Sequence, residues 1–430
     1  MSQRLRFALS GVSDLTTLAA NIGSMAILAL SGAALNLLVG RFYGFEGLGI
    51  FSLALTFFLI LGQVTAGGFA FATLYHFSQT GAANPEARAY LIAMSLPACL
   101  VGMVLAILLW HTGPMIGYAF GSDALGQALP AVGIAVLLFG LNKIWASALN
   151  GMQHLKTYSI FQGMRMPLML MMFLLLVARN TDITQIGWVF AYTESLLFIG
   201  FVATLLAFTK RGSIAPKTIL LFIRTDSARG WRGAFIGILA DANTKIDLLV
   251  LSLISTDAAV GIYALGGLFA DGVRMVLAAV QNITNPRMSQ LIVAGDRVGY
   301  DELWHNLAWV GRLGAALIVL LSIAFLLLAV PSIMQVDNFI LSTWVFAIVG
   351  TSIVVAAPAV ILNQTFTQAG KPEMQTAYFV AIAGANLCLN FILVPAFGPL
   401  GAAAATAVAE AVQLWLLLRW LPKLFDQIHT

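Results

Sequence analysis

Apolar segments long enough to cross a membrane recur along almost the whole chain, and they constrain its fold more than any other feature. A helix needs about 20 consecutive, mostly apolar residues to cross a bilayer. We predict twelve such spans: 16–39, 47–73, 90–110, 125–147, 158–178, 185–208, 233–254, 258–281, 306–330, 339–362, 374–394 and 400–421. Since 60% of the 430 residues are hydrophobic and only 9% are charged, a water-soluble fold is excluded. The sequence therefore predicts an all-α integral membrane protein with about 12 transmembrane helices.

The lysines and arginines predict the orientation of these spans. If the N-terminus is inside, 15 of the 22 lie in inner segments, five lie within spans, and only Arg41 and Arg179 lie in outer loops. Basic residues concentrate in the cytoplasmic loops of membrane proteins. We therefore expect a multi-pass protein with both termini in the cytoplasm.

The two halves of the chain resemble each other. The segment 49–58 aligns with 261–270 at an offset of 212 residues, and 149–150 aligns with 362–363 at an offset of 213. Six spans per half is an even number, so both halves start from the same side of the membrane. We predict two parallel six-helix halves around a central cavity.

The predicted domains are an N-terminal six-helix half at 1–208, a basic cytoplasmic linker at 209–232 and a C-terminal six-helix half at 233–430. The linker carries six basic residues and one acid, Asp226, around a short apolar stretch. This pattern is typical of a segment that lies on the inner membrane surface and is held by anionic lipid headgroups.

The seventh span carries three charges near its middle, Asp241, Lys245 and Asp247. On insertion scales a central charge costs roughly 2.5–3.5 kcal/mol, so these side chains need partners. Asp241 and Lys245 are four residues apart on one helical face and can pair. Asp247 lies on another face and must reach another helix or water. The three charges are either structural pairs or the lining of a polar route across the bilayer.

Ten charged side chains lie within the predicted spans. The bases are Arg165, Lys245, Arg274, Lys143 and Arg312, and the acids are Asp241, Asp247, Asp271, Glu194 and Glu410. Asp271 and Arg274 can pair on one helix, whereas Lys143 and Arg165 have no acid on theirs. Bases near the inner ends either snorkel to the interface or line a cavity that suits an anionic headgroup such as a diphosphate. We take the five bases as candidate substrate ligands and the five acids as candidate cavity or ion-coupling groups.

Several short motifs carry a resemblance to a known family. In chain order they are GLGIFS at 47–52, GIYA at 261–264, GKP at 370–372, the pair Asn386 and Asn390, and PAFGPLGAA at 395–403. The sequence resembles the multidrug/oligosaccharidyl-lipid/polysaccharide exporter (MOP) superfamily, and within it the polysaccharide branch of Wzx-type flippases. The likeness extends over essentially the whole chain.

This resemblance implies a flippase in the inner membrane of a bacterium. Its substrate would be a polyprenyl-diphosphate-linked oligosaccharide, translocated from the cytoplasmic to the outer leaflet by alternating access. The product would serve surface polysaccharide biosynthesis, such as that of lipopolysaccharide or exopolysaccharide. Polysaccharide polymerase or glycosyltransferase machinery would be its partners.

Other classes of function fit the sequence less well. The outer loops are short for a glycolipid-processing enzyme, and no glycine-rich phosphate loop is present, so we expect a transporter and no enzyme. We expect no cofactor and no metal site, since Cys99 and Cys388 lie inside apolar spans. The bases are spread over loops, which argues against nucleic-acid binding. The alternative is a cation-coupled multidrug antiporter of the same superfamily, in which Asp241, Asp247 or Glu194 would exchange ions.

Overall fold

The computed structural model describes residues 15–81, 84–209, 214–226, 244–336 and 339–428. The helices in chain order are α1 (Leu15–Ala66), α2 (Phe69–Thr80), α3 (Ala87–Ala119), α4 (Asp123–Gly151), α5 (Leu155–Ala178), α6 (Gly187–Phe208), α7 (216–226), α8 (Ile246–Ile254), α9 (Asp257–Val293), α10 (Arg297–Leu328), α11 (Val330–Met334), α12 (Phe339–Ile361), α13 (Thr365–Gln368) and α14 (Pro372–Ile428), with a 3-10 turn at Ile183–Gln185. Where the connecting residues are described, short turns join the helices, and the described residues contain no strand. The all-α prediction is confirmed for this part of the chain.

Two of the helices each contain two predicted spans, because a glycine bends the helix between them. Gly44 in α1 has φ +68° and ψ −169°, and Gly398 in α14 has φ +54° and ψ −130°. A positive φ strains a residue with a Cβ atom but not glycine. Each bend falls between two predicted spans, so one continuous chain segment crosses and returns without a long loop.

Nine helices of the described part are long and apolar enough to cross a membrane. With two spans for each bent helix, they correspond to eleven of the twelve predicted spans. The remaining one, 233–254, is described only from residue 244 onwards. The chain is therefore a multi-pass membrane protein.

The end of the second predicted span was placed wrongly. We expected one span over 47–73, but α1 ends at Ala66 and α2 begins at Phe69. Gly67, with φ +46°, and Gly68 separate the two helices. Adjacent glycines in an apolar run break the helical path although the hydropathy stays high, which is why a span prediction based on hydropathy passes over them.

The described parts of Met1–Leu35, Phe57–Met115 and Ala124–Ile238 form one compact unit. Its core contains large buried side chains of α2, α3, α4 and α6, among them Phe77, Tyr90 and Phe201. Phe222 of the linker helix α7 packs against this same core. The linker helix is thus part of the unit's packing.

The described parts of Asn36–Thr56, Ile116–Asp123 and Leu239–Thr430 form a second compact unit. Within it α12 packs against α9, α10 and α14, and α14 also packs against α8. These contacts bring polar residues of α8, α9, α12 and α14 into one region, where they build the larger of the two candidate sites.

Two glycines of α1 and α9 let their helices touch at the backbone. A side chain on Gly49 would overlap the carbonyl oxygen of Asp257, and one on Gly261 would overlap the carbonyl oxygen of Phe45. Positions 45 and 257, like 49 and 261, are 212 residues apart, which is the offset found between the aligned segments. The contact is therefore symmetric between equivalent positions of the two halves of the sequence, and it supports their relationship as repeats.

Candidate functional site

Glu194 of α6 is the buried acid of the first unit. Its side chain is 0% exposed, and its carboxylate accepts hydrogen bonds from Arg165 Nε of α5 at 2.8 Å and from Asn142 Nδ2 of α4 at 2.8 Å. The Arg165 guanidinium also lies over the ring of Phe139, 4.7 Å from its centre. The pair uses Nε of Arg165, so the terminal Nη atoms of this 17% exposed side chain are not part of it. Three helices thus converge on one neutralised charge pair.

Lys143 follows Asn142 in the sequence but has a different partner. Its Nζ atom donates a hydrogen bond to the side-chain oxygen of Gln63 in α1. The sequence left Lys143 without an acid on its own helix, and the structure gives it a neutral partner from another helix.

A row of alternating charges lies in the second unit. This charged row consists of Lys245, Asp271, Arg274 and Glu410, from the N-terminal end of α8, from α9 and from α14. The Asp271 carboxylate lies 3.5 Å from Lys245 Nζ and 3.2 Å from Arg274 Nη1. Arg274 Nη2 lies 2.6 Å from Glu410 Oε1, and Ser352 Oγ of α12 donates to the other oxygen of Glu410. The predicted pairing of Asp271 with Arg274 is confirmed.

The second predicted pair involves Asp241, which lies outside the described residues. Lys245, its expected partner, forms its ion pair with Asp271. The spacing rule that suggested Asp241 concerns only residues on one helix. It could not indicate Asp271, because that residue lies on α9 and tertiary packing brings the two together.

Asp247 of α8 has four hydrogen-bond donors around its carboxylate. Oδ1 accepts from Asn386 Nδ2 at 2.8 Å and from Asn390 Nδ2 at 2.7 Å, and Oδ2 accepts from Tyr263 Oη at 2.8 Å and Thr406 Oγ1 at 2.9 Å. We call these five residues the carboxylate cage. The expectation that Asp247 reaches another helix is confirmed, since its partners come from α9 and α14.

The carboxylate cage contains no base. Within the part of the chain that the structure describes, no lysine or arginine forms an ion pair with Asp247. A buried carboxylate held by neutral donors alone has no cation to balance a negative charge, unlike Glu194 and Glu410, which each have an arginine. The arrangement can therefore take up a proton or a small cation, which would neutralise it.

Among the described residues, Arg312 of the second unit takes part in no ion pair. It is exposed on α10, on the side where Trp309, Leu313 and Leu317 are also exposed. An arginine on an apolar, exposed helix side fits the snorkelling alternative.

Several residues of these clusters were not assigned a role from the sequence. They are Asn142, Tyr263, Ser352, Asn386, Asn390 and Thr406. Asn386 and Asn390 carried a usable signal, because two amides four residues apart in an apolar span share a helical face and need a buried partner. The hydroxyl residues carried none, since Ser and Thr are common in membrane helices. In the described residues no group of three or more His, Cys, Asp and Glu side chains is arranged to hold a metal ion.

Comparison with solved structures identifies proteins of similar fold. No protein-family model matches the sequence, and no curated protein matches it. The structure is similar to that of "Lipid II flippase MurJ, inward closed conformation", with TM-score 0.69 and 17% identity over 96% of this chain and 90% of that chain. It is also similar to the inward-facing conformation of a multidrug resistance MATE family transporter of the MOP superfamily, with TM-score 0.71 and 14% identity over 95% of this chain and 99% of that one.

A third similar structure is a MOP superfamily transporter from Pyrococcus furiosus Vc1, with TM-score 0.58 and 10% identity over 96% of this chain and 95% of that chain. All three alignments extend over nearly the full length of both partners. At these identities the likeness establishes the fold. The chain therefore has the fold of the MOP superfamily transporters from its first membrane helices to its last.

Proposed function

We propose that the protein is a flippase that moves a polyprenyl-diphosphate-linked oligosaccharide from the cytoplasmic to the outer leaflet of a bacterial inner membrane. The main observation in support is the charged row, in which two cations of the second unit flank one half-exposed carboxylate. The fold shared with a lipid II flippase supports a lipid-linked substrate. The sequence resemblance to Wzx-type flippases supports an oligosaccharide for surface polysaccharide.

The cations would bind the diphosphate of the substrate. Arginine forms two parallel hydrogen bonds to phosphate oxygens, whereas lysine acts as a point charge. At about 4 Å and an effective dielectric near 20, each cation attracts a phosphate charge by about 4 kcal/mol before desolvation. In this proposal Arg274 and Lys245 of the second unit bind the headgroup, while Arg165 and Lys143 of the first unit are separate candidate ligands.

The carboxylate cage would couple transport to an ion gradient. Asp247 would take up a proton or a small cation on one side of the membrane and release it on the other, by alternating access. Its amide partners suit this role, because a rotated Asn side chain presents an oxygen to a cation in place of a donor to the carboxylate.

The alternative function is a cation-coupled multidrug antiporter. The carboxylate cage favours it, because an acid without a paired base can exchange a bound ion for a cationic drug. The fold shared with a multidrug resistance transporter also favours it. The charged row argues against it, since Lys245 and Arg274 both repel a cationic substrate.

The deciding experiment uses a deletion strain complemented with variants. We expect loss of the protein to leave lipid-linked oligosaccharide on the cytoplasmic leaflet and to abolish surface polysaccharide, with unchanged tolerance of organic cations. Arg165→Gln and Arg274→Gln should not restore the polysaccharide, and Arg274→Lys should restore part of it. Arg297→Gln, which removes an exposed base of α10, is the matched control and should complement fully. Normal glycolipid distribution together with sensitivity to organic cations would establish the antiporter instead.

A further inference from the structure

Asp271 occupies the one position in the charged row that touches both cations. Its carboxylate lies 3.5 Å from Lys245 Nζ and 3.2 Å from Arg274 Nη1. A phosphate group placed at this carboxylate would meet the same two cations. The location of an internal acid thus marks a binding position for an external anion.

The two acids of the charged row are held very differently. Glu410 is 8% exposed, lies 2.6 Å from Arg274 and accepts a further hydrogen bond from Ser352. Asp271 is 50% exposed, and both of its ion-pair distances are longer. Exposed ion pairs contribute little to stability, whereas breaking a buried pair is costly. An arriving anion therefore displaces Asp271 and leaves Glu410 in place.

We infer that Asp271 is an internal counter-ion that occupies the phosphate position, and that the substrate's phosphate displaces it during binding. The inference rests on the proposed function, in which the headgroup is anionic. Glu410 and Ser352 keep Arg274 in position throughout, so Glu410 is a positioning residue and Asp271 a specificity-determining one.

The exchange preserves the charge balance of the row. Without substrate, two cations face two carboxylates. When a phosphate takes the place of Asp271, the cations keep two anionic partners and the displaced carboxylate, already half-exposed, moves towards water. A rotation of the Asp271 side chain is sufficient to release Arg274. The two residues lie one turn apart on the same helix, so the backbone need not move. A neutral or cationic headgroup cannot replace Asp271, so the row selects for anionic headgroups such as a diphosphate.

The test is a binding measurement on the purified full chain in detergent. Farnesyl diphosphate is the lipid probe, inorganic pyrophosphate the lipid-free probe, and isothermal titration calorimetry gives Kd. Asp271→Asn removes the competing charge and should bind farnesyl diphosphate at least fivefold more tightly than the unmodified protein. Asp271→Ser should behave alike. Glu410→Gln should bind more weakly, because Arg274 loses the partner that positions it.

Two controls separate displacement from a general charge effect. Glu302→Gln removes an exposed acid of α10 and changes the net charge equally, and its Kd should stay within twofold. In an Arg274→Gln background, Asp271→Asn should give no gain in affinity.

The two probes show which part of the ligand is recognised. If Asp271→Asn tightens the binding of pyrophosphate as much as that of farnesyl diphosphate, the exchange involves phosphate alone. If it tightens only the binding of farnesyl diphosphate, the lipid is part of the recognised unit. Either result supports the displacement.

Different results would refute this inference and the proposed function. If the unmodified protein binds farnesyl diphosphate in an Arg274-dependent way but Asp271→Asn binds equally or more weakly, the counter-ion exchange is wrong and an anionic substrate stands. If neither probe binds and Arg274→Gln changes nothing, the anionic headgroup itself is wrong, and both proposals fall.

Discussion

At the residue scale, the buried acids of the described helices are held in two ways. Glu194 and Glu410 each pair with an arginine, while Asp247 is held only by neutral donors. A paired acid is neutralised by its partner and is suited to hold that base in place. An acid with neutral donors has no base to balance it and is suited to exchange a proton or a cation. The two kinds of site therefore predict different consequences of mutation.

Glu194→Gln should destabilise the protein, because it leaves Arg165 with no acid partner in a largely buried position. Removal of one partner of a buried pair costs about 3–5 kcal/mol. The double variant Glu194→Gln with Arg165→Met should recover much of this loss, as both charges are gone, but should not restore transport. Thermal stability in detergent and surface polysaccharide measure the two effects. If the double variant transports normally, the Arg165–Glu194 pair has only a structural role.

Asp247→Asn should leave the protein folded but abolish ion-coupled transport. The amide has the shape of the carboxylate but no charge to exchange, and its own N–H group faces existing donors at a cost of about 1–3 kcal/mol. Tyr263→Phe removes one of four donors and should reduce transport only partly. Gradient-driven transport in vesicles, compared with expression level, tests this. Asp301→Asn, an exposed acid on α10, is the control. Full activity of Asp247→Asn would exclude the cage from coupling.

At the element scale, the crossing of α1 and α9 depends on two glycines. A methyl group at Gly261 would overlap the backbone of α1, so Gly261→Ala must push the helices apart. Overpacking of this kind typically costs 1–3 kcal/mol, roughly, and here the neighbour is backbone, which cannot rotate away. Gly267→Ala on the same helix has open space and should be neutral or slightly stabilising. Equal melting temperatures for the two variants would contradict the close backbone contact of α1 and α9 at Gly261.

The linker helix α7 is docked on a half-buried histidine. His76 stacks on Tyr90 with ring centres 3.6 Å apart, meets Phe222 of α7 edge-on at 5.7 Å, and its Nε2 atom has no hydrogen-bond partner among the described residues. Burial lowers the pKa of His76 below its ordinary value of 6.5, while the carboxylates of Asp226 and Glu86 act in the opposite direction. Docking of α7 therefore disfavours protonation of His76.

This predicts that acid loosens the linker helix. Undocked His76 takes up a proton below pH 6.5, so the docking energy is complete above that value and is lost as the pH falls towards the lowered pKa. Hydrogen exchange of 216–226, corrected for intrinsic rates, should be faster at about pH 5.5 than at about pH 7.5. His76→Phe keeps the ring stack without the proton and should remove the difference. An unchanged pH dependence in His76→Phe would assign the effect to another group.

At the scale of the whole molecule, contacts agree with the predicted sidedness of the loops. Arg41 donates to the carbonyl oxygen of Ile333, and both belong to predicted outer loops. Arg88 donates to the carbonyl oxygens of Leu206 and Thr209, all predicted to lie on or near the inner side. Each contact joins segments assigned to the same side. Which side is the cytoplasm remains a prediction from the charge distribution.

Thiol labelling tests that orientation. On a background without Cys99 and Cys388, a cysteine replacing exposed Arg297 should react with an impermeant reagent only from the cytoplasm. A cysteine replacing exposed Thr256, at the start of α9, should react from outside in intact cells. The physical reason is the excess of bases on one side of the spans. Labelling of Arg297→Cys from outside would invert the topology.

The sequence alone determined most of the membrane architecture. Hydropathy located the spans, since a bilayer demands long apolar helices whatever their neighbours are. Gly44 and Gly398 stand where two predicted spans meet, and the 212-residue offset already related Gly49 to Gly261, although not their contact. The pairing of Asp271 with Arg274 was predictable because it needs only helical spacing. These features depend on local helix geometry or on the surrounding bilayer, and residues close together in sequence are sufficient to predict them.

Only the tertiary structure decided which charges are partners and which are not. Lys245 meets Asp271, Arg165 meets Glu194, and Asp247 meets Asn386, Asn390, Tyr263 and Thr406, all across different helices. Helix packing sets these distances, and a single sequence carries no record of which helix faces which. The ten charges of the spans could be counted from the sequence, but for those described the partners on other helices could not be predicted. That pairing distinguishes a site for an anion from a site for a coupling ion, because each depends on the charge that remains after the pairs have formed.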